Sequence, residues 1–194
     1  MMMNEWYEIV PSDAPLMQGD FIFKCRVPTW KRENIELSGE TEEETLKALL
    51  RFIEVDVIVM TQACDLEQNH VQNVTLCPHL PLSKYREGWE RFMAARKQEV
   101  TPKAWRKQCD NLRDGFIWNQ SLLNSSTIDG FPFEHRIADF YDIYTLPRVF
   151  LESLLKNRSN SRPRLLPPYR EHLSQAFARF YMRVGLPTPI NKGW

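Results

Sequence analysis

Val55–Pro78 reads VDVIVMTQACDLEQNHVQNVTLCP, and the fold turns on how its two apolar runs are taken. Val55–Thr61 and Val71–Cys77 are rich in β-branched residues and flank a polar connection holding Asp65, Asn69 and His70. That is the pattern of a strand, a turn and a second strand. Val57–Met60 is apolar without a break, as in a strand buried on both faces, whereas Val71, Asn73 and Thr75 are mixed. Thr61, Gln62, Cys64, Asp65 and Glu67 crowd the end of the buried strand, so a site is first expected there.

The totals bound the rest. A chain of 194 residues suffices for a single domain, 1–194, with a sizeable core. Seven glycines against 13 prolines leave no glycine-rich phosphate loop of the GxGxxG or GxxxxGK[ST] type. No apolar run approaches the roughly 20 residues of a membrane span. The start, MMMNEWYEIV, lacks a basic and apolar secretory pattern, and Cys25, Cys64, Cys77 and Cys109 form no CxxC pair. A cytoplasmic protein with reduced thiols is the expectation. The net charge of zero conceals a polarity: Glu33–Glu67 holds ten acidic and two basic residues, and Lys84–Arg113 nine basic and four acidic. Lys156–Arg183 holds seven basic residues against Glu171 alone. Such asymmetry suits either a basic face for phosphate or plain solvated surface.

Outward from the central stretch, Met1–Leu16 reads as an extended entry anchored by Trp6 and Tyr7. Gly19-Asp20 opens a strand, Phe21–Val27, with Phe21, Phe23, Cys25 and Val27 expected on one face and Lys24 and Arg26 on the other. Thr41 with Glu44 is a capping-box pattern for a helix over Glu42–Arg51. Beyond the hairpin, Pro78 and Pro81 are expected to end the pairing. Helices are predicted over Ser83–Lys97 and Pro102–Arg113, a basic pair inserted into a β core. Strands follow at Phe116–Leu123 and His135–Tyr144, then a short helix from Leu146-Pro147, a mobile basic linker over Asn157–Arg164, and a helix over Tyr169–Val184 capped by Gly185. The β core thus falls at about 17–28, 55–78 and 116–144, the insertion at 83–113 and the C-terminal helices at 146–185. The order implies an α+β protein around a small β barrel.

A Gly-Asp-led strand (GDFIF), an apolar strand ending in Thr (VIVMT) and a third ending in Cys-Pro (VTLCP) resemble the start of the PemK/MazF toxins. A later RIADFYDI strand and a C-terminal helix fit the same outline. The resemblance implies a small SH3-like barrel and, in that family, RNA cleavage. The family works with an arginine just before its second strand and a Thr or Ser just after its third. Here Glu54, Val55 and Asp56 stand before the second, and His79, Leu80 and Pro81 after the third. Thr61–Leu66 (TQACDL) is also similar to a [ST]QxCDL signature in a group of bacterial proteins.

Cys64 and Asp65 could serve as nucleophile and base, with His70 or His79 supplying a partner for the thiol; the structural alternative is a small buried thiol and an Asp-capped turn. Cys64, Cys77 and His79 lack zinc-type spacing, so neither metal nor cofactor is expected. Thr61 and Gln62 either meet a base edge or satisfy stray carbonyls at the sheet rim. Lys24, Arg26, Arg179 and Arg183 could cradle phosphate, with Trp30, Trp105 and Trp118 as stacking candidates or core residues, and Arg136 with Asp139 either an ion pair or strand-edge contacts. The leading expectation is a non-catalytic binding or regulatory component of a bacterial multi-component system, such as phage defence, with nucleic acid or a protein as partner. A metal-independent nuclease related to the toxins and a structural subunit docking through the C-terminal helix are the alternatives.

Overall fold

In the computed structural model, which describes residues 6–31 and 41–182, the strand expected at Val55 is central. It is β3 (Leu50–Val59), antiparallel to β4 (Asn73–Pro81) with Val57 opposite Pro78 and Val59 opposite Leu76. Val57 and Val59 enter one apolar cluster, while Ile58 and the next residue, Met60, enter a second on the opposite side. Burial on both faces is why the run shows no alternation.

β2 (Phe21–Trp30) pairs with the other edge of β3. The single-face alternation expected for it is corrected. A bulge between Ile22 and Cys25, with Lys24 at φ 49°, shifts the side-chain phase by one residue. Phe21 and Phe23 therefore pack in the second cluster, and Ile22, Cys25 and Val27 in the first.

The two prolines do not end the pairing. The bonds from Met60 N–H to Thr75 O and from Leu82 N–H to His135 O fix which residue pairs are hydrogen-bonded. Pro78 opposite Val57 and Pro81 opposite Arg136 fall at non-bonded pairs, where a missing N–H costs nothing. β4 thus runs on, and it is shared between two partners in sequence. Asn73–Leu76 pairs with β7 (Tyr144–Pro147) and His79–Pro81 with β6 (Arg136–Asp139). The one strand expected over His135–Tyr144 is these two short strands, and Leu146-Pro147 belongs to β7. β5 (Gln120–Leu123) completes the path β2-β3-β4-β6-β5.

The path has two free ends, so the described residues form an open antiparallel sheet and not a closed barrel. At the β2 end, the Lys31 N–H to Leu49 O bond puts Thr29 and Val27 in bonded pairs with β3 and turns the nitrogen of Pro28 outward. An edge proline of this kind resists a further strand. A separate ribbon joins β1 (Tyr7–Val10) to β8 (Arg162–Leu165), so the segment expected to be a mobile linker includes a paired strand. Gly19 at φ +87° makes the approach possible, since a Cβ there would lie 3.0 Å from that of Leu165.

Six helices lie among the described residues, and the α+β class holds. α1 (Glu42–Leu49) has the expected capping box, and gives up Leu50 and Arg51 to β3. α2 (Ala63–Glu67) is a short helix where a turn was expected. α3 (Leu82–Ala95) and α4 (Pro102–Arg113) match the predicted insertion. α5 (Arg148–Arg158) covers the first cluster with Leu151 and Leu155, and α6 (Tyr169–Tyr181) the second with Leu173 and Phe180. Arg183 and Gly185 lie outside the described residues. No helix among the described residues is long and apolar enough to cross a membrane.

Two buried polar hubs tie these elements together. Asp20, fully buried, accepts from Arg162 Nε at 2.8 Å, Arg164 Nη2 at 3.1 Å, Arg164 Nε and the Met17 N–H. Arg162 also donates to the carbonyls of Pro11, Ala14 and Pro15. Arg136 joins Asp56 through Nη2 and His79 Nδ1 through Nε at 2.6 Å, and lies over the Phe23 ring. Of the two alternatives for Arg136 and Asp139, the ion pair does not form and strand contacts do: both lie in β6, and Asp139 accepts from Tyr141 N–H and Gln120 Nε2. Burial and the adjacent guanidinium push His79 well below its ordinary value, only partly offset by the Val57 backbone, so the ring is neutral.

Candidate nucleic-acid interface

The polar cluster singled out in the sequence lies at the end of β3. Thr61 Oγ1 accepts the Thr75 N–H at 2.8 Å and so closes the rim of the sheet. Gln62 stands at the N-cap of α2 without a side-chain cap bond. Asp65 faces His70 at 3.9 Å and, with Thr61 and Gln62, lines a cleft of about 330 Å³ against Ser174 and Phe177 of α6. Cys64 is exposed and is not among the described residues that line that cleft. Cys77 is buried, with its thiol donating to the Asp139 carbonyl, and burial raises its pKa far above the usual thiol range. His79 sits with Arg136. Cys64, Cys77 and His79 therefore do not converge, and among the described residues no three His, Cys, Asp or Glu side chains group as metal ligands.

The expected phosphate cradle is also dispersed. The Lys24 N–H donates to Asp56 Oδ1 at 2.8 Å, and the Lys24 and Phe23 carbonyls accept from Arg158 at 2.7 Å each. Arg26 is exposed opposite Glu54. Lys24 lines one cleft with Arg158, and Arg179 lines another beside the end of α4. The two share no cleft, and Arg183 lies outside the described residues.

The basic insertion is better organised than its sequence suggests. Thr101 caps α4 by accepting the Ala104 N–H at 3.1 Å, with Pro102 at the first turn. The two helices meet through aromatic residues: Trp89 and Trp105 lie 5.3 Å apart, Gln108 Nε2 donates to Tyr85 OH at 2.7 Å, and Arg86 lies over the Trp105 ring. Trp105 thus packs within the hairpin. α3 buries no residue fully and α4 only Leu112, so the hairpin stands away from both core clusters.

Helical spacing puts Lys103, Arg106 and Lys107 on the side of α4 opposite Trp105, Cys109 and Leu112. All three are exposed, as are Lys84, Arg91 and Lys97 along α3 and its end. The hairpin's ion pairs are Arg86 with Glu90, and Arg113 with Asp110 and Asp114. Arg96 stacks over Phe92 at 4.3 Å. The six other cations have no acidic partner among the described residues. Local charge counting finds this insertion, but not which of its cations stay unpaired.

These features define a mixed α/β protein with antiparallel sheets that carries a protruding basic helical hairpin. Comparison with protein-family models, curated proteins and solved structures finds no match for the chain.

Proposed function

We propose that the protein is a non-catalytic nucleic-acid-binding component that docks through the α3–α4 hairpin. One observation carries the reading: Lys84, Arg91, Lys97, Lys103, Arg106 and Lys107 are exposed without acidic partners among the described residues, on a unit that contributes little to the core. Pairing such cations would neutralise them; leaving them exposed and unpaired maintains a positive surface that gains free energy by releasing counterions from phosphates. In this reading the protein is the binding or regulatory part of a bacterial multi-component system such as phage defence. Its strand core would be an opened variant of the PemK/MazF barrel, with the hairpin, and not the toxin's Arg and Thr/Ser pair, meeting the nucleic acid.

The test is fluorescence anisotropy of labelled oligonucleotides at low salt, with the wild type and Lys103→Glu/Arg106→Glu/Lys107→Glu. The proposal expects wild-type binding that weakens steeply with salt and is lost in the variant. Cys64→Ala and Asp65→Ala should leave it unchanged. Absence of binding by the wild type, or undiminished binding by the variant, overturns the reading.

A further inference from the structure

We infer that the outer face of the β2–β3 ribbon is a self-association surface, and that its occupant is the same face of a second copy of this chain. Beyond Cys25 and Val55 the two strands run on together to Trp30 and Leu50, whereas β4 pairs with β3 only from Val57 to Val59. The inner side of this ribbon is covered, since Cys25, Val27, Ile53 and Val55 pack in the first cluster. On the outer side the cover stops early. Ile58 packs in the second cluster and Asp56 pairs with Arg136, but Glu54, Phe52 and Leu50 are exposed. The register puts Arg26 opposite Glu54, Pro28 opposite Phe52 and Trp30 opposite Leu50, so these residues share one side of the ribbon as an apolar stripe with a charged end. Trp30 is 55%, Phe52 56% and Leu50 37% exposed. Leu46, whose carbonyl accepts the Leu50 N–H where α1 meets β3, is 53% exposed. Single apolar residues on a surface need no account; two aromatic rings and a leucine along one stripe do.

Two observations favour a second copy as the occupant. The first is charge. Arg26 and Glu54 lie directly across the ladder at one end of the stripe, yet neither has an ion-pair partner among the described residues. A face of one sign would repel its own copy, whereas these two charges cancel. In a two-fold pairing, one protomer's Arg26 facing the other's Glu54 is repeated by symmetry, so a single kind of contact pairs all four groups. The second is area. With just over half of each ring uncovered, Trp30 and Phe52 expose roughly 200 Å² per copy, so pairing buries about 400 Å² of aromatic surface. A stable dimer buries about 1,200–2,000 Å² in all, and Leu50, Leu46, Pro28 and the charged rim supply the remainder. An aromatic centre within a polar rim is the usual anatomy of an interface, and Trp is a frequent anchor. An interface at the low end of that range gives micromolar affinity. The contact is face to face, because the outward nitrogen of Pro28 opposes strand addition at the edge of β2.

The experiment is sedimentation velocity on the full chain from about 1 to 200 µM, without nucleic acid, so its outcome is independent of the hairpin reading. The monomer is 23.0 kDa, and a reversible shift toward twice that mass with rising concentration is expected. Phe52→Ser and Trp30→Ser, checked for folding by circular dichroism, should each weaken dimerisation by roughly tenfold or more. Phe150→Ser, at an exposed aromatic on α5, should leave it unchanged. Arg26→Glu and Glu54→Arg should each weaken the dimer, and Arg26→Glu/Glu54→Arg should restore it, because the exchanged pair is again self-complementary. A wild type that stays monomeric throughout overturns the proposal, whether the stripe is then met by another part of the same chain or by a different protein. A dimer unmoved by the Phe52 and Trp30 variants, or one that the double charge exchange fails to restore, overturns it as well.

Discussion

Replacing Asp20 by Asn tests whether the fold depends on the polar hub that joins the two sheets. The carboxylate is completely buried and receives four donors, three of them from Arg162 and Arg164. Asparagine keeps one acceptor oxygen and turns an NH2 toward the guanidinium groups, leaving Arg162, itself 3% exposed, without its counter-charge. Removing one partner of a buried pair costs about 3–5 kcal/mol, because the remaining charge stays desolvated. The three carbonyls on Arg162 moderate the loss, so the lower half of that range is expected. Against a typical total of about 5–15 kcal/mol, the variant should be folded but close to its threshold. Urea unfolding at pH 7, followed by circular dichroism, reads this as a fall in midpoint with an unchanged slope. Adding Arg162→Met to Asp20→Asn should recover part of the stability, as the stranded cation is removed. A loss below about 1 kcal/mol in Asp20→Asn would refute the hub's role.

His79 should make the protein acid-sensitive. Its folded pKa lies well below the ordinary 6.5, so the unfolded chain takes up the proton first. The stability it contributes is present above about pH 6.5 and falls by up to roughly 1.4 kcal/mol per pH unit below that, until the folded pKa is reached. Chemical denaturation at pH 7 and pH 5 should show a smaller difference for His79→Gln than for the wild type, and an equal difference would contradict the assignment. Thiol labelling under native conditions should find Cys64 fast and Cys109, whose pKa burial raises, slower. Cys25 and Cys77, both buried and raised in pKa, should react only on unfolding. Loss of the fast phase in Cys64→Ala identifies it; persistence of that phase would place the reactive thiol elsewhere.

What the sequence reveals and conceals has physical causes. Val57–Met60, the capping box at Thr41 and Glu44, and Pro102–Arg113 are readable because period, cap chemistry and length agree locally. Lys24 hides the bulge in β2, since a one-residue phase shift leaves composition unchanged and a lysine at positive φ gives no glycine-like signal. Pro78 and Pro81 read as terminators because their harmlessness depends on which pairs are hydrogen-bonded, and only the assembled sheet decides that. The linker containing Arg162 and Arg164 reads as mobile because both residues are basic, and their partner Asp20 lies more than a hundred residues away. The same distance separates signal from site. Lys24 and Arg179 look alike on paper but occupy different clefts, and Thr61 turns out to close a sheet rim.

The central claim is that the exposed cations of the α3–α4 hairpin bind nucleic acid, and the salt dependence of that binding tests it most directly. If about four to six phosphates are neutralised on a single strand, log affinity should fall with log salt at a slope of roughly −3 to −4. Removing Lys103, Arg106 and Lys107 together should lower the slope's magnitude by about 2. A binding affinity indifferent to salt, or a slope unchanged in the triple variant, would contradict the account.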